Sequence, residues 1–369
     1  MYDICPYCRR KLNVNTIEKR KLWKTGKGTY ITSFPVEWVA QLIEKYGEEI
    51  ILSYEDERIV ILPLKKVENV SGRIELKNSD PMPHFKLESE IISAYLGNYD
   101  NLSVKIPEEK SYLSGKLFGL MHKLEGASAE RVSSNEFLIK FLTPPTSIPK
   151  LLNSNFSQYT ELAKQNDKLM SVFPLSTEEL EENMEIFTAL ECEVDKRTFH
   201  IKRLLNRALL YPWYIREIQL ENLKEIIQYS LLASSLERLC DLEEELFNEG
   251  IKSLSAYSTV KNEIKLADTS AKYDFQRYHQ DTYNIVKNAY ENKDNLNELY
   301  KILELKHAIQ DNKEYTFGNF SREKREFLRN YIERCGAYSL ILALIEQKIW
   351  GMLGIATNIA ETWANLKSI

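Results

Sequence analysis

The chain has 369 residues, of which 43% are hydrophobic and 28% are charged, which is the balance of a folded protein with a buried core. No apolar run approaches the ~20 residues that span a bilayer. The N-terminus lacks the basic-then-apolar pattern of a secretory signal, so we expect a cytoplasmic protein without membrane insertion. A formal net charge of −5 argues against a protein that coats nucleic acid with its whole surface.

Residues 1–16 form a short basic segment that contains Cys5-Pro-Tyr-Cys8. A structural zinc site takes four ligands, and this pair supplies two of them. Three interpretations stay open. The pair binds a zinc ion shared by the two chains of a dimer, it forms an intrachain disulfide, or it has no ligand.

Residues 17–66 predict a small β-rich module. β-branched and aromatic runs alternate with glycine turns, and a proline at the start and a glycine at the end bound one helix. In order, the predicted elements are strands at 17–23 and 29–33 around a turn at 25–28, a helix from Pro35 to Gly47, and a hairpin of 50–54 with 58–62.

Basic residues crowd the first strand of this module and its turn, whereas the rest of the chain is acidic. Neutralised phosphates supply most of the affinity of DNA-binding proteins, so a basic hairpin can grip the DNA backbone. The alternative is a charged strand edge that prevents aggregation. The candidate DNA contacts are Arg20, Lys21, Lys24, Thr25 and Lys27.

Residues 67–145 predict a small α/β connecting module, and three prolines at 144, 145 and 149 mark its end. Its predicted strands are 72–77, 102–106, 128–133 and 136–142, and its predicted helices are 86–97 and 110–123.

From residue 146 onward the sequence is almost purely helical. Apolar residues recur at helical spacing, which favours long antiparallel helices in one or two bundles. The predicted helices are 194–210, 218–248, 262–291, 296–311 and 322–366.

Two acidic pairs lie in this helical region. Glu191 with Asp195, and Glu237 with Asp241, are each four residues apart, so each pair projects from one helix face. Convergent carboxylates in a bundle bind divalent cations such as iron, manganese, magnesium or zinc. The alternative is a solvated acidic face, which is common on Glu-rich helices.

Residues 20–35, followed by Trp38-Val39 and Tyr46-Gly-Glu-Glu-Ile50, resemble the SpoVT/AbrB domain. That is a DNA-binding fold in which two chains interlock their hairpins. The resemblance implies that residues 17–66 form a swapped-hairpin dimer.

The helical region is similar to PhoU domains, which regulate phosphate uptake. Glu191-Cys-Glu-Val-Asp195 and Glu237-Arg-Leu-Cys-Asp241 match the paired acidic signatures of a PhoU repeat, and Ala356–Glu361 matches the end of a second repeat. Residues 90–100 resemble the module that connects AbrB-like and PhoU domains in archaeal proteins.

This resemblance implies PhoU-like repeats at 146–258 and 259–369, the second of them degenerate. Trp350 and Gly354 occupy the positions where its acids should stand, and in the first repeat Glu245 replaces an expected asparagine. The expected fold class is therefore multidomain α+β: an AbrB-like β module, a small α/β module and all-α bundles.

The family resemblance implies a homodimeric, DNA-binding transcriptional regulator linked to phosphate uptake. The alternative is a PhoU-type adaptor that regulates a phosphate transporter or its signalling partners by protein contact, with the AbrB-like part serving for dimerisation. We expect no enzyme, because phosphate-binding and nucleophile motifs are missing from the sequence. A carboxylate-bridged metalloenzyme of the di-iron type would need Glu-x-x-His on each of two helices, and the sequence has no such pair.

Overall fold

The computed structural model describes residues 20–26, 28–55, 58–63, 69–172, 175–253, 255, 268–310 and 337–368. They belong to two compact units, one within residues 1–68 and the other within 69–369. Strands and helices occur in both, so the fold is mixed α+β and mostly helical. The predicted basic segment at 1–16 lies outside the described residues. The finer division of the second unit into a connecting module and two repeats stays a prediction.

The first unit consists of two hairpins separated by a helix, which confirms the predicted order. Helix α1 ends at Gly47, whose φ of +86° suits glycine and whose N–H donates to the carbonyl of Ile43. The elements are β1 (Trp23–Thr25), β2 (Thr29–Ile31), α1 (Val36–Tyr46), β3 (Ile50–Glu55) and β4 (Arg58–Pro63), with β1–β2 and β3–β4 each antiparallel.

One boundary in this unit was predicted wrongly. The strand-like run at 17–23 placed the first strand too early, since the chain from Arg20 to Leu22 is not in a strand and β1 runs from Trp23 through Thr25. The pairing of Thr25 with Thr29 fixes the strand end. β-propensity marks a suitable stretch, but the ladder with the partner strand sets its limits.

The α/β module opens the second unit and holds a core of its own. Strand order is β5-β6-β8-β7, with β5 and β6 parallel across the α2 crossover and the other pairs antiparallel. Its elements are β5 (Ser71–Glu75), α2 (Pro83–Leu96), β6 (Asn101–Lys105), α3 (Leu113–His122), β7 (Ala127–Arg131) and β8 (Glu136–Phe141). The predicted helix 110–123 was too long at its start, where Glu108–Lys110 form a 3₁₀ turn instead.

The rest of the second unit is a helical bundle around one large apolar core. Its helices are α4 (Ile148–Val172), α5 (Thr177–Leu210), α6 (Glu225–Glu245), α7 (Asp268–Glu291), α8 (Leu296–Gln310) and α9 (Ala337–Ser368). A 3₁₀ turn at Pro212–Arg216 separates α5 from α6, and a π-helical turn at Leu246–Ile251 continues α6. None of the helices in the described ranges is both long and apolar enough to cross a membrane.

Two predicted helix boundaries need correction. The helix predicted at 218–248 begins only at Glu225, because residues 217–224 form turns. Helix α5 begins at Thr177, long before the predicted start at 194. Its start carries a capping box in which the Ser176 hydroxyl accepts the Glu179 N–H and the Glu179 carboxylate accepts the Ser176 N–H.

Helix α5 ties the α/β module to the bundle through Arg203, which is fully buried. Its guanidinium donates to the carbonyls of Tyr95 and Tyr99 and to the Thr143 hydroxyl. It also lies 4.7 Å from the ring centroid of Tyr95 and 5.4 Å from that of Phe141. Tyr95 lies in the last turn of α2, and Tyr99 lies in the loop that follows this helix. Arg203 of α5 therefore binds both the end of α2 and the loop after it.

We expect Arg203→Met to lower the free energy of unfolding by at least about 2 kcal/mol. The Tyr95 carbonyl keeps the Asn98 N–H as a donor, but the Tyr99 carbonyl and the Thr143 hydroxyl lose the guanidinium, and each buried acceptor left without a donor costs ~1–3 kcal/mol. Urea denaturation measures this change. Arg216→Met, at an exposed arginine of the following 3₁₀ turn, is the control. Equal unfolding midpoints for the two variants would contradict the role of Arg203.

Candidate functional site

The predicted DNA contacts lie on the first hairpin. Arg20, Lys21, Lys24 and Thr25 are exposed, and Lys27 lies outside the described residues. In the β1–β2 ladder Trp23 pairs with Ile31, and Lys24 pairs with Tyr30. Because paired residues share a face and neighbours alternate, one face of the hairpin carries Trp23 and Ile31, and the other carries Lys24 and Tyr30.

Apolar side chains of the first unit are unusually exposed. In β3 and β4, Leu52 pairs with Ile61, and Leu52 and Ile59 are each 65% exposed, which places an apolar strip on one face of this hairpin. Trp23 is 49% exposed and Val36 82%. Clusters of exposed apolar residues mark surfaces that contact another molecule.

Three of the four acids predicted in the helical region converge. Glu191 and Asp195, one turn apart on α5, face Asp241 on α6, and one carboxylate oxygen from each lies within 4.8 Å of the others. All three are half-buried. In the described part of the chain, no other three His, Cys, Asp or Glu ligand atoms come so close together.

The surroundings of this acidic cluster disfavour its negative charge. Burial, the adjacent Asp195 carboxylate and their shared hydrogen bond raise the pKa of Glu191 to about 7. Burial also raises the pKa values of Asp195 and Asp241, and Asp241 adds to the effect on Asp195. The three acids between α5 and α6 are therefore harder to ionise than free carboxyl groups. Once ionised, they form a set of oxygen donors that a divalent cation would stabilise.

The fourth predicted ligand, Glu237, does not join the acidic cluster. Its carboxylate accepts a 3.0 Å hydrogen bond from Lys202 Nζ, which fixes α5 against α6. Glu245 is likewise engaged with Arg238 at 2.7 Å. At the degenerate second repeat, Trp350 and Gly354 lie within α9. Cys5 and Cys8, the predicted zinc pair, lie outside the described residues.

Sequence reasoning missed a buried polar cluster at the seam of α4, α6 and α7. His279 of α7 lies between Asp167 of α4 and Glu243 of α6, at sequence separations of 112 and 36 residues. No spacing rule detects such distant residues. The one signal in the sequence was the presence of polar residues on the apolar stripe of α4, where Asn155 and Asn166 are fully buried.

Compared with protein-family models, curated proteins and solved structures, the chain matches none. Its function must therefore be inferred from its residues and their geometry.

We expect Glu191→Gln to become increasingly stabilising, relative to the wild type, as the pH rises from about 4.5 to 7. Unfolded Glu191 ionises near its ordinary pKa of 4.5 while the folded group stays protonated until about 7. The folded state therefore becomes less stable across this window, and the glutamine variant avoids that decrease. Above pH 7 the difference is constant.

Urea denaturation at several pH values, without added metal, measures the difference. Glu193→Gln, at an exposed carboxylate of the same helix, controls for the general effect of charge removal. If the free energy of unfolding depends on pH in the same way for both variants, the pKa of Glu191 is not raised by the cluster.

Proposed function

We propose that the chain is a homodimeric DNA-binding regulator, in which the first unit grips duplex DNA and the helical bundle holds a divalent cation. The observation that carries this proposal is the first hairpin, with lysine and tyrosine on one face and tryptophan and isoleucine on the other. The link to phosphate uptake comes from the PhoU resemblance alone.

The exposed apolar surface supports dimerisation of the first unit. A single chain leaves Trp23, Ile31, Leu52 and Ile59 between 49% and 65% exposed. A second copy of the unit offers matching apolar residues, and two-fold pairing of identical patches is the commonest way to bury such a surface. Hairpins interlocked as in the AbrB-like fold would cover these side chains and leave the basic face outside.

The basic face supports DNA as the ligand of that dimer. Lys24 is exposed opposite Tyr30, and Lys21, two residues before the strand, is also exposed. Two-fold symmetry would double their number in the dimer. Such a surface holds phosphates and reads DNA shape more than base identity. Its affinity would therefore depend steeply on salt and weakly on sequence.

The acidic cluster supports a cation in the bundle. Mg²⁺ and Mn²⁺ prefer carboxylate oxygens, and Glu191, Asp195 and Asp241 bring three carboxylates within 4.8 Å. Binding of a divalent ion would let all three ionise and would stabilise the folded chain by mass action.

We expect Lys21→Ala/Lys24→Ala to weaken duplex binding on every sequence. Each phosphate that the variant no longer neutralises should reduce the slope of log affinity against log salt by about 0.9. Fluorescence anisotropy of the full chain with a labelled 20-bp duplex, titrated at several salt concentrations, measures both quantities. Lys164→Ala/Lys168→Ala removes the same charge from exposed positions on α4 and should leave both unchanged.

Equal weakening in the two double variants would mean that net charge, and not the hairpin, sets the affinity. A wild-type chain that binds no duplex at low salt would reject the regulator and favour the protein-contact adaptor.

We expect Mg²⁺ to raise the melting temperature of the wild-type chain and to have no such effect on Asp241→Asn, which lacks one of the three carboxylates. Differential scanning fluorimetry with and without chelator measures this shift. Glu237→Gln, at the acid that pairs with Lys202, should respond to Mg²⁺ as the wild type does. Identical shifts in wild type and Asp241→Asn would mean that the acids form a solvated face.

A further inference from the structure

The buried polar cluster around His279 shares no residue with the acidic cluster. His279 and Glu243 are fully buried. His279 Nδ1 lies 2.6 Å from Asp167 Oδ1, and His279 Nε2 lies 2.9 Å from Glu243 Oε2 and 3.2 Å from Oε1. Three helices, α4, α6 and α7, each contribute one of these groups.

Three ionisable side chains thus meet inside the bundle, where an uncompensated charge is costly. An imidazole in contact with a carboxylate is also a donor pair that can bind a divalent cation.

Two buried polar atoms near Glu243 have no hydrogen-bond partner. The amide of Asn166 donates to Glu243 Oε2 at 2.7 Å, but Asn166 Oδ1 accepts nothing. The Tyr159 hydroxyl also has no partner, and the negative charge of Glu243 adds to burial in raising its pKa. Both side chains are fully buried. Buried polar groups without a hydrogen-bond partner are uncommon, and a bound water or ion is one explanation for them.

The arrangement of His279 matches that of a metal-ligating histidine. Such residues donate one ring N–H to a carboxylate and bind the metal through the other nitrogen, and Asp167 is placed to accept that N–H. A tetrahedral zinc ion held ~2.0–2.1 Å from two donors keeps them about 3.3 Å apart, close to the 3.2 Å between His279 Nε2 and Glu243 Oε1. Helix α6 also becomes π-helical at Leu246, a distortion frequent at functional sites.

We propose that His279 Nε2 and the Glu243 carboxylate bind a transition-metal dication, with Asn166 Oδ1 and the Tyr159 hydroxyl as further oxygen donors and Asp167 orienting the imidazole. Imidazole with oxygen ligands suits zinc or iron and not magnesium. On binding, the metal takes the position of the proton on Nε2, which is released to solvent. Asp167 and Glu243 lie in the first predicted repeat, whereas His279 lies in the second. The ion would therefore link the two repeats.

The test uses the full chain carrying Cys5→Ser, Cys8→Ser and Asp241→Asn, which removes the other two candidate metal sites. Zinc affinity is measured by competition with a chromophoric chelator, and Mg²⁺ serves as the non-binding ion. We expect one zinc per chain, with at least 100-fold weaker affinity after His279→Gln. Circular dichroism verifies that this variant is folded.

Two tyrosine variants separate a ligand from a structural residue. Tyr159→Phe removes an unpartnered hydroxyl, so we expect zinc affinity to fall about tenfold while the zinc-free melting temperature stays equal or rises. Tyr290→Phe removes a hydroxyl bonded to Asn153 Oδ1 at 2.8 Å, so we expect the melting temperature to fall and zinc affinity to stay unchanged. The proposal would be overturned if the chain with Cys5→Ser, Cys8→Ser and Asp241→Asn bound no zinc, or if His279→Gln, Tyr159→Phe and Tyr290→Phe all had the same zinc affinity. A buried water would then be the partner of the unpaired polar atoms.

Discussion

The second unit depends on the buried guanidinium of Arg203. This side chain donates to a carbonyl in the last turn of α2 and to one in the loop after it, and it stacks on the core ring of Tyr95. Helix α5 therefore cannot slide along the α/β module without leaving polar groups buried and unpaired. The neighbouring Lys202 forms an ion pair with Glu237 of α6. Two adjacent residues of α5 thus fix its position against the module on one side and against α6 on the other. Glu191 and Asp195 lie on the same helix, and their meeting with Asp241 follows from that register.

The acids of the bundle divide into two kinds. Glu245 has cationic partners: Arg238 and Lys348 outweigh the effect of burial and hold its pKa below the ordinary value. At Glu191 and Asp195 the charge of Lys123 offsets only part of the effect of burial, so their pKa values stay raised. Acids of the first kind stabilise helix packing, whereas those of the second kind would be stabilised by a bound cation.

Much of the fold could be predicted because local patterns are strong. Gly47 ends α1, and strands β5 to β8 lie within two residues of their predicted limits. Pro144 and Pro145 precede α4, and Pro149 lies in its first turn. The pairing of Glu191 and Asp195 followed from their four-residue spacing. The start of α5 was missed although the capping box at Ser176 and Glu179 is visible in the sequence. The cluster of Asp167, Glu243 and His279 could not be predicted, since it requires knowing how three helices separated by long stretches of chain pack together.

If the first unit is completed by a second copy and binds duplex DNA in that form, the stoichiometry of the complex must show it. Sedimentation equilibrium of the full chain, alone and with a 20-bp duplex at low salt, tests this most directly. We predict a dimer alone and two chains on each duplex, with the complex dissociating as salt rises. A chain that sediments as a monomer, beside a duplex that sediments without bound protein, would contradict this.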